Sequence, residues 1–323
     1  MLLESLLTAD YKMFMNLFIS VPYLFTGRSI NAFMVCYAIT CFVPMWFALL
    51  MGAKYLAQQL PACHTALYYP LCMAVMVLWP MFLWPATHGM PDAFGLTFAA
   101  VIALLCADYR FETLPWPRLL AIFAATFALI LTRRWYMFWI LAILCCVCAG
   151  GAGWGAVRRK TLGSTLKHML LFGVPSAVII VGALLPTFKT ILTTDYADIY
   201  GAYYGGGFGN NCLGQLRTQG LIWLVLCAAG LVWLLYCRST RAQAIVAAAA
   251  SLGAGWWLFH PVDPGPWGDH QSLILAPFYL LMLFGLCAKL TQQKAKPWLR
   301  NAAAGVLAVF FGGQLRQRLA SAR

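Results

Sequence analysis

The stretch INAFMVCYAITCFVPMWFALLM, residues 30–51, carries no charged side chain over 22 positions. About 20 apolar residues, rising about 1.5 Å each as a helix, cross the hydrocarbon core of a bilayer. This run therefore reads as a transmembrane helix, and it sets the frame for the rest of the chain. Further charge-free runs follow at 66–84, 135–154, 169–186, 220–237, 242–259 and 271–288. Three shorter ones, 93–107, 119–132 and 301–313, reach only roughly 20 Å as helices. They are expected to end inside the protein body or where the bilayer thins. Residues 13–25 are apolar too, but Pro22 and their brevity point to an interfacial or re-entrant helix.

Composition agrees. Of 323 residues, 63% are hydrophobic and 10% charged, with a mean hydropathy of +0.78. Soluble domains are about a quarter charged, so a soluble domain, a disordered chain, a collagen-like repeat and a disulfide scaffold are all excluded. The expected class is an all-α integral membrane protein, a polytopic bundle of about 9–10 spanning or partly spanning helices. Residues 1–29 form an external tail with the interfacial helix. Residues 30–313 form the bundle with external loops 187–219 and 260–270, and residues 314–323 a basic tail. Met1-Leu2-Leu3-Glu4 lacks a basic n-region, so no cleavable signal peptide is expected.

The net charge of +13, from 22 Lys+Arg against 9 Asp+Glu, invites a nucleic-acid reading. Cytoplasmic loops supply such an excess by themselves, and no nucleic-acid partner is expected. With residues 1–29 outside, Arg110/Arg118, Arg158-Arg159-Lys160/Lys167, Arg238/Arg241 and Lys289/Lys294/Lys296/Arg300 fall inside. Glu4, Asp10, Asp92, Asp195, Asp198, Asp263 and Asp269 fall outside; Asp108 and Glu112 remain inside. The outer face is acidic, aromatic and rich in loops, and any chemistry is expected there. Of the 12 cysteines, Cys36, Cys41, Cys72, Cys106, Cys145, Cys146, Cys148, Cys227 and Cys287 sit in apolar runs as small hydrophobes would.

Arg133 and Arg134 break the charge rule, standing on the outer side just before Trp135-Tyr136. They read either as snorkelling anchors beside an aromatic belt or as a guanidinium pair that grips phosphate bidentately. The external loop 187–219 carries Asp195-Tyr196-Ala197-Asp198, then Tyr203-Tyr204 and a glycine run. Tyrosines and carboxylates together suit a saccharide surface; the alternative is an ordinary interfacial loop. The glycines have no GK[ST] behind them and are no P-loop.

The turn from His260 to His270 brings two acids and two imidazoles to the mouths of neighbouring helices. His260, Asp263, Asp269 and His270 offer metal-ligating groups, but no standard zinc spacing is present and no metal ligand is assigned. Asp269 and His270 suit orientation of a polar group or acid–base work; Asp269 reads equally as a helix cap. No confidently assigned span has an acid near its middle, and no half-chain repeat emerges, which lowers an ion-driven transporter. HExxH and GxSxG are absent.

Several features resemble the GT-C-type polytopic membrane glycosyltransferases of bacteria. They are the run 17–30 ending Phe25-Thr26-Gly27-Arg28-Ser29, the short helices 93–132, the Arg133-Arg134-Trp135-Tyr136 junction, and Gly268-Asp269-His270-Gln271-Ser272-Leu273. The resemblance implies a multi-pass protein of the bacterial inner membrane. It implies transfer of a sugar from a polyprenyl-phosphate donor to a glycan or glycolipid acceptor on the extracytoplasmic face. It places the family's first helix and most of its first external loop ahead of Met1, so that Asp10 is the acid left from that loop. An inverting transfer needs a base for the acceptor hydroxyl and cations, or a divalent metal, at the leaving phosphate. Asp10 or Asp269 is the expected base, with His270 beside the latter, and Arg133 and Arg134 the phosphate clamp. Tyr136, Asp195, Tyr196 and Asp198 are expected at the sugars. Asp10 also reads as a solvated loop acid. The rival readings are a lipid-linked saccharide transporter or flippase and a non-catalytic remnant of the family. Reporter fusions test the orientation: a fusion after Arg159 is expected to be active only as a cytosolic reporter, and one after Gly206 only as an exported reporter.

Overall fold

The computed structural model describes residues 12–26, 29–60, 63–79, 91–107, 115–132, 136, 140, 160–183, 185, 208–210, 212–213, 216, 220–259, 273, 275–292, 297–298, 301 and 305. Nine helices run through them: α1 (Lys12–Thr26), α2 (Ile30–Gln59), α3 (Thr65–Leu78), α4 (Pro91–Leu105), α5 (Trp116–Thr132), α6 (162–183), α7 (Leu221–Tyr236), α8 (Arg241–Phe259) and α9 (Ala276–Leu290). Apart from a single bridge between Cys63 and Gln292, the described residues contain no extended pairing. The protein they define is all-α. The expected spans 135–154 and 301–313, apart from residues 136, 140, 301 and 305, the loop 260–270, most of 187–219 and the tail 314–323 lie outside the described residues.

The helix α2 is longer than the charge-free run predicts. It continues eight residues past Met51, through an exposed Lys54, to Gln59. Among the described residues it is the one helix long and apolar enough to cross a membrane; other apolar helices run 10–17 residues. Its exposed large side chains, Val35, Ile39, Val43 and Phe47, recur every four positions and form one stripe. Cys36, Tyr37, Cys41, Met45, Ala48 and Leu49 are buried. Only 33% of its most apolar window is buried, whereas a helix in the centre of a soluble protein is covered on most sides.

Two helices contain one widened turn each, at Ala38–Phe42 in α2 and Met169–Gly173 in α6. In the first, the Val43 N–H reaches back five residues to the Ala38 carbonyl. Each wide turn ends two residues before a proline, Pro44 or Pro175. Proline has no N–H and its ring crowds the carbonyl four residues earlier, here Thr40 or Leu171. Both carbonyls lie inside the widened turn, which gives the ring room without ending the helix.

The helices alternate, so that α2, α4, α7 and α9 finish at one end of the bundle. Polar side chains there reach across to helix-end carbonyls. Ser239 Oγ donates to Gln59 O, Gln243 Nε2 to Ala107 O at 3.2 Å, and Arg118 Nε to Leu105 O at 2.8 Å. The His64 N–H donates to Thr291 O at 2.7 Å. Lys289 places its Nζ 3.9 Å from the centre of the Trp233 ring, a cation–π contact. Of the residues that the positive-inside reading groups together, Arg118, Arg241 and Lys289 stand at this end.

Helices α7 and α9 make the closest crossing. A Cβ on Gly230 would stand 1.9 Å from the Met282 carbonyl oxygen, and one on Gly285 would meet the Leu234 side chain at 2.6 Å. Small residues let helix backbones approach in this way. Gly230→Ala is expected to cost about 1–3 kcal/mol, because backbone rather than a flexible side chain must move. Gly52→Ala, whose Cβ meets nothing within 4 Å, is expected to hold or raise stability by up to about 1 kcal/mol. Thermal unfolding of the purified protein in detergent measures both.

Candidate functional site

Helix α4 opens with Pro91-Asp92 at the end of the bundle opposite the basic loops. Proline is preformed for the first helical position, and a carboxylate in the first turn favours the positive end of the helix dipole. Asp92 is nonetheless fully buried. Removing an ionised carboxylate from water is costly unless partners compensate, so this is the most unusual polar position among the described residues.

Tyr136 is also fully buried, and its hydroxyl donates to the Asp92 backbone carbonyl at 2.9 Å. The phenol reaches that carbonyl by lying over Gly95, where a Cβ would come within 2.6 Å of ring atom Cε2. Glycine at 95 is what allows this approach. Tyr37 of α2 is 2% exposed and within electrostatic reach of the Asp92 carboxyl. Phe18 of α1 packs on Phe94 with ring centres 5.2 Å apart, and Phe94 meets Phe98 edge-on at 5.0 Å. Helices α1, α2 and α4, together with the Tyr136 position, thereby enclose one carboxyl and two phenols. Trp79 and Tyr279, edge to face at 5.9 Å, tie α3 to α9.

Of the expected site residues, only Tyr136 is described. Asp10, Arg133, Arg134, Asp195, Tyr196, Asp198, Asp269 and His270 lie outside the described residues. Tyr136, expected at the sugars, is buried in the structure. Its face is covered and its hydroxyl proton is used, so its work is to fasten the chain after α5 onto α4. Thr132, 1% exposed, closes α5 by donating to Ala128 O at 2.8 Å. The Arg133-Arg134 pair therefore stands in sequence between two buried, hydrogen-bonded residues.

Asp92 was counted in the sequence as one more external acid. The signal that singles it out is local: proline then an acid immediately before an apolar run marks a helix start. Its burial is tertiary and has no sequence signature. Among the described residues no group of three or more His, Cys, Asp or Glu gathers. One carboxyl with two phenols falls short of the oxygen ligands that Mg²⁺ or Ca²⁺ takes. The described cysteines are free thiols, all buried except the half-buried Cys212.

No family model, curated protein or solved structure matches the chain. Tyr136→Phe is expected to destabilise the protein by about 1 kcal/mol, since it removes a buried hydrogen bond that ties Tyr136 to α4. Gly95→Ala is expected to cost at least as much by displacing the ring. Chemical or thermal unfolding checks the pair, and a loss for Gly95→Ala that persists in the Tyr136→Ala background would contradict the packing account.

Proposed function

We propose that the chain is a multi-pass glycosyltransferase of the bacterial inner membrane. It moves a sugar from a polyprenyl-phosphate donor to a glycan or glycolipid acceptor of the cell envelope. A membrane setting is supported by the apolar stripe Val35, Ile39, Val43 and Phe47 and by the low burial of α2. Orientation with the basic end in the cytoplasm is supported by the gathering of Arg118, Arg238, Arg241 and Lys289 at the ends of α2, α4, α7 and α9.

The observation that carries the reading is the Tyr136–Asp92 hydrogen bond at the opposite end. It ties the residue two positions after Arg133-Arg134 to the start of α4, and in this reading a lipid-linked phosphate docks beside the two arginines. In this reading the two guanidiniums hold the phosphate oxygens and offset the charge that grows as the donor departs. Asp10 or Asp269 takes the proton from the acceptor hydroxyl, with His270 orienting the group. The freed oxygen attacks the anomeric carbon, and the polyprenyl phosphate leaves with the electron pair of the broken bond. Asp195, Tyr196 and Asp198 hold the sugars. Asp92 acts as a positioning residue through its backbone carbonyl.

Purified protein in proteoliposomes, given a radiolabelled polyprenyl-phosphate sugar and envelope glycolipid, is expected to transfer label. Arg133→Ala with Arg134→Ala is expected to lower the rate by about 10²–10³-fold, the scale of removing charge stabilisation from a transition state. Asp10→Asn or Asp269→Asn is expected to abolish it, whichever is the base. Movement of the labelled lipid across the bilayer without transfer supports the transporter reading, and neither transfer nor movement supports the non-catalytic one.

A further inference from the structure

Helix α8 packs on α7 and α9 but makes only sparse contact with α2 and α4. The space left between them is a cavity of about 120 Å³, walled by Ala48 and Gly52 of α2, Ala100 and Ala103 of α4, and Val246 and Ala247 of α8. Phe278 and Phe284 of α9 complete it. On α2 the lining runs from Ala48 to Leu56, three to eleven positions before Gln59. The cavity therefore sits roughly 5–17 Å in from the end of that helix, in a different part of the bundle from Asp92.

Its surface is hydrocarbon almost throughout. Gln243 donates its Nε2 to Ala107 O at 3.2 Å, and its Oε1 is buried beyond the reach of anything in the cavity. Thr240 is 1% exposed and spends its hydroxyl proton on Leu234 O at 2.9 Å. Tyr55 brings an aromatic ring to the wall, and the buried Cys106 a thiol that packs as a small hydrophobe. Water needs about two to four polar partners to stay in such a space, and this lining does not supply them. Left empty, the cavity would forfeit the dispersion contacts of every atom around it. An apolar cavity of roughly this size stays dry and takes a hydrocarbon of about six carbons. With α2 crossing a bilayer, the medium beside the bundle at this depth is lipid tails.

We infer that a segment of one acyl tail of a bilayer lipid, about six carbons long, fills the space between α8 and the α2–α4 pair and completes the seating of α8. The tail is held by shape and not by charge, so the headgroup it carries is immaterial. The inference rests on the membrane-spanning reading of α2 and on none of the sugar-transfer residues.

The test uses the full chain in phosphatidylcholine nanodiscs in which a small fraction of the lipid carries a diazirine midway along one tail. After irradiation, labelled residues are mapped by peptide mass spectrometry. Label on the stripe Val35, Ile39, Val43 and Phe47 reports that α2 meets lipid; label on Val246 and Ala247 reports a tail in the cavity. Both are expected, and their ratio is expected to stay the same when phosphatidylglycerol replaces phosphatidylcholine. Gly52→Leu adds bulk at a position whose Cβ meets nothing within 4 Å. It is expected to keep the unfolding temperature and the stripe label while lowering label on Val246 and Ala247 by about tenfold, because a close-packed interior has no room for both. Ala103→Leu, on the facing wall, is expected to do the same. Stripe label without cavity label, cavity label undiminished in either folded variant, or a ratio that follows the headgroup overturns the inference. Absence of label on the stripe as well overturns the membrane reading with it.

Discussion

Every helix leaves four carbonyls without partners at its C-terminal end, and in a chain this apolar they have few donors to turn to. The bundle is organised around that constraint. At the basic end three polar links run from a side chain of one element to a carbonyl at or just past the C-terminus of another helix: Ser239 to Gln59, Gln243 to Ala107 and Arg118 to Leu105. Within one connection, Arg241 reaches Leu235 O and Tyr236 O. Each link does two things at once. It satisfies a buried acceptor, and it fixes where the following chain leaves the bundle.

The charge-free runs locate helices well where the flanking residues are strongly polar or conformationally distinct. The run 220–237 corresponds to Leu221–Tyr236, bounded by Gly220 at a positive φ of 80° and by Arg238. The run 242–259 corresponds to Arg241–Phe259. They locate helices poorly where charge is a weak stop signal. Lys54 does not end α2, because a long side chain on an exposed position carries its ammonium away from the bundle while the backbone continues. Likewise α6 begins at Leu162, seven residues before the apolar run, through Lys167 and His168. In α9 the discrepancy has the other sign: the regular helix begins at Ala276, where Pro277 suits its first turn, although the apolar run starts at 271.

The candidate site was legible only at the level of residue type. A tyrosine after two arginines at a helix junction reads as an interfacial ring, and nothing local says that it turns inward. That direction is decided by Gly95, 41 positions earlier, whose missing side chain is the space the ring enters. Asp92 is similar: its helix start is readable, its burial against Tyr37 and Tyr136 is not. A cavity lined by Ala48 of α2, Ala100 and Ala103 of α4 and Ala247 of α8 is similar, since no one helix shows that these alanines meet. Size complementarity between separate helices has no one-dimensional pattern.

The distribution of cations separates the two ends chemically. Arg118 and Arg241 give guanidinium hydrogen bonds to the carbonyls of Leu105, Leu235 and Tyr236, and Lys289 is held over Trp233. A cation occupied with helix-end carbonyls already has the favourable field of a helix C-terminus, and taking up a phosphate would mean surrendering part of it. The basic end is therefore built to hold helices in place. A phosphate-bearing ligand would gain most from guanidiniums that do not cap helices. In the proposed reading Arg133 and Arg134 take that phosphate, and Tyr136 matters because its hydrogen bond to the Asp92 carbonyl ties the chain just beyond them to α4.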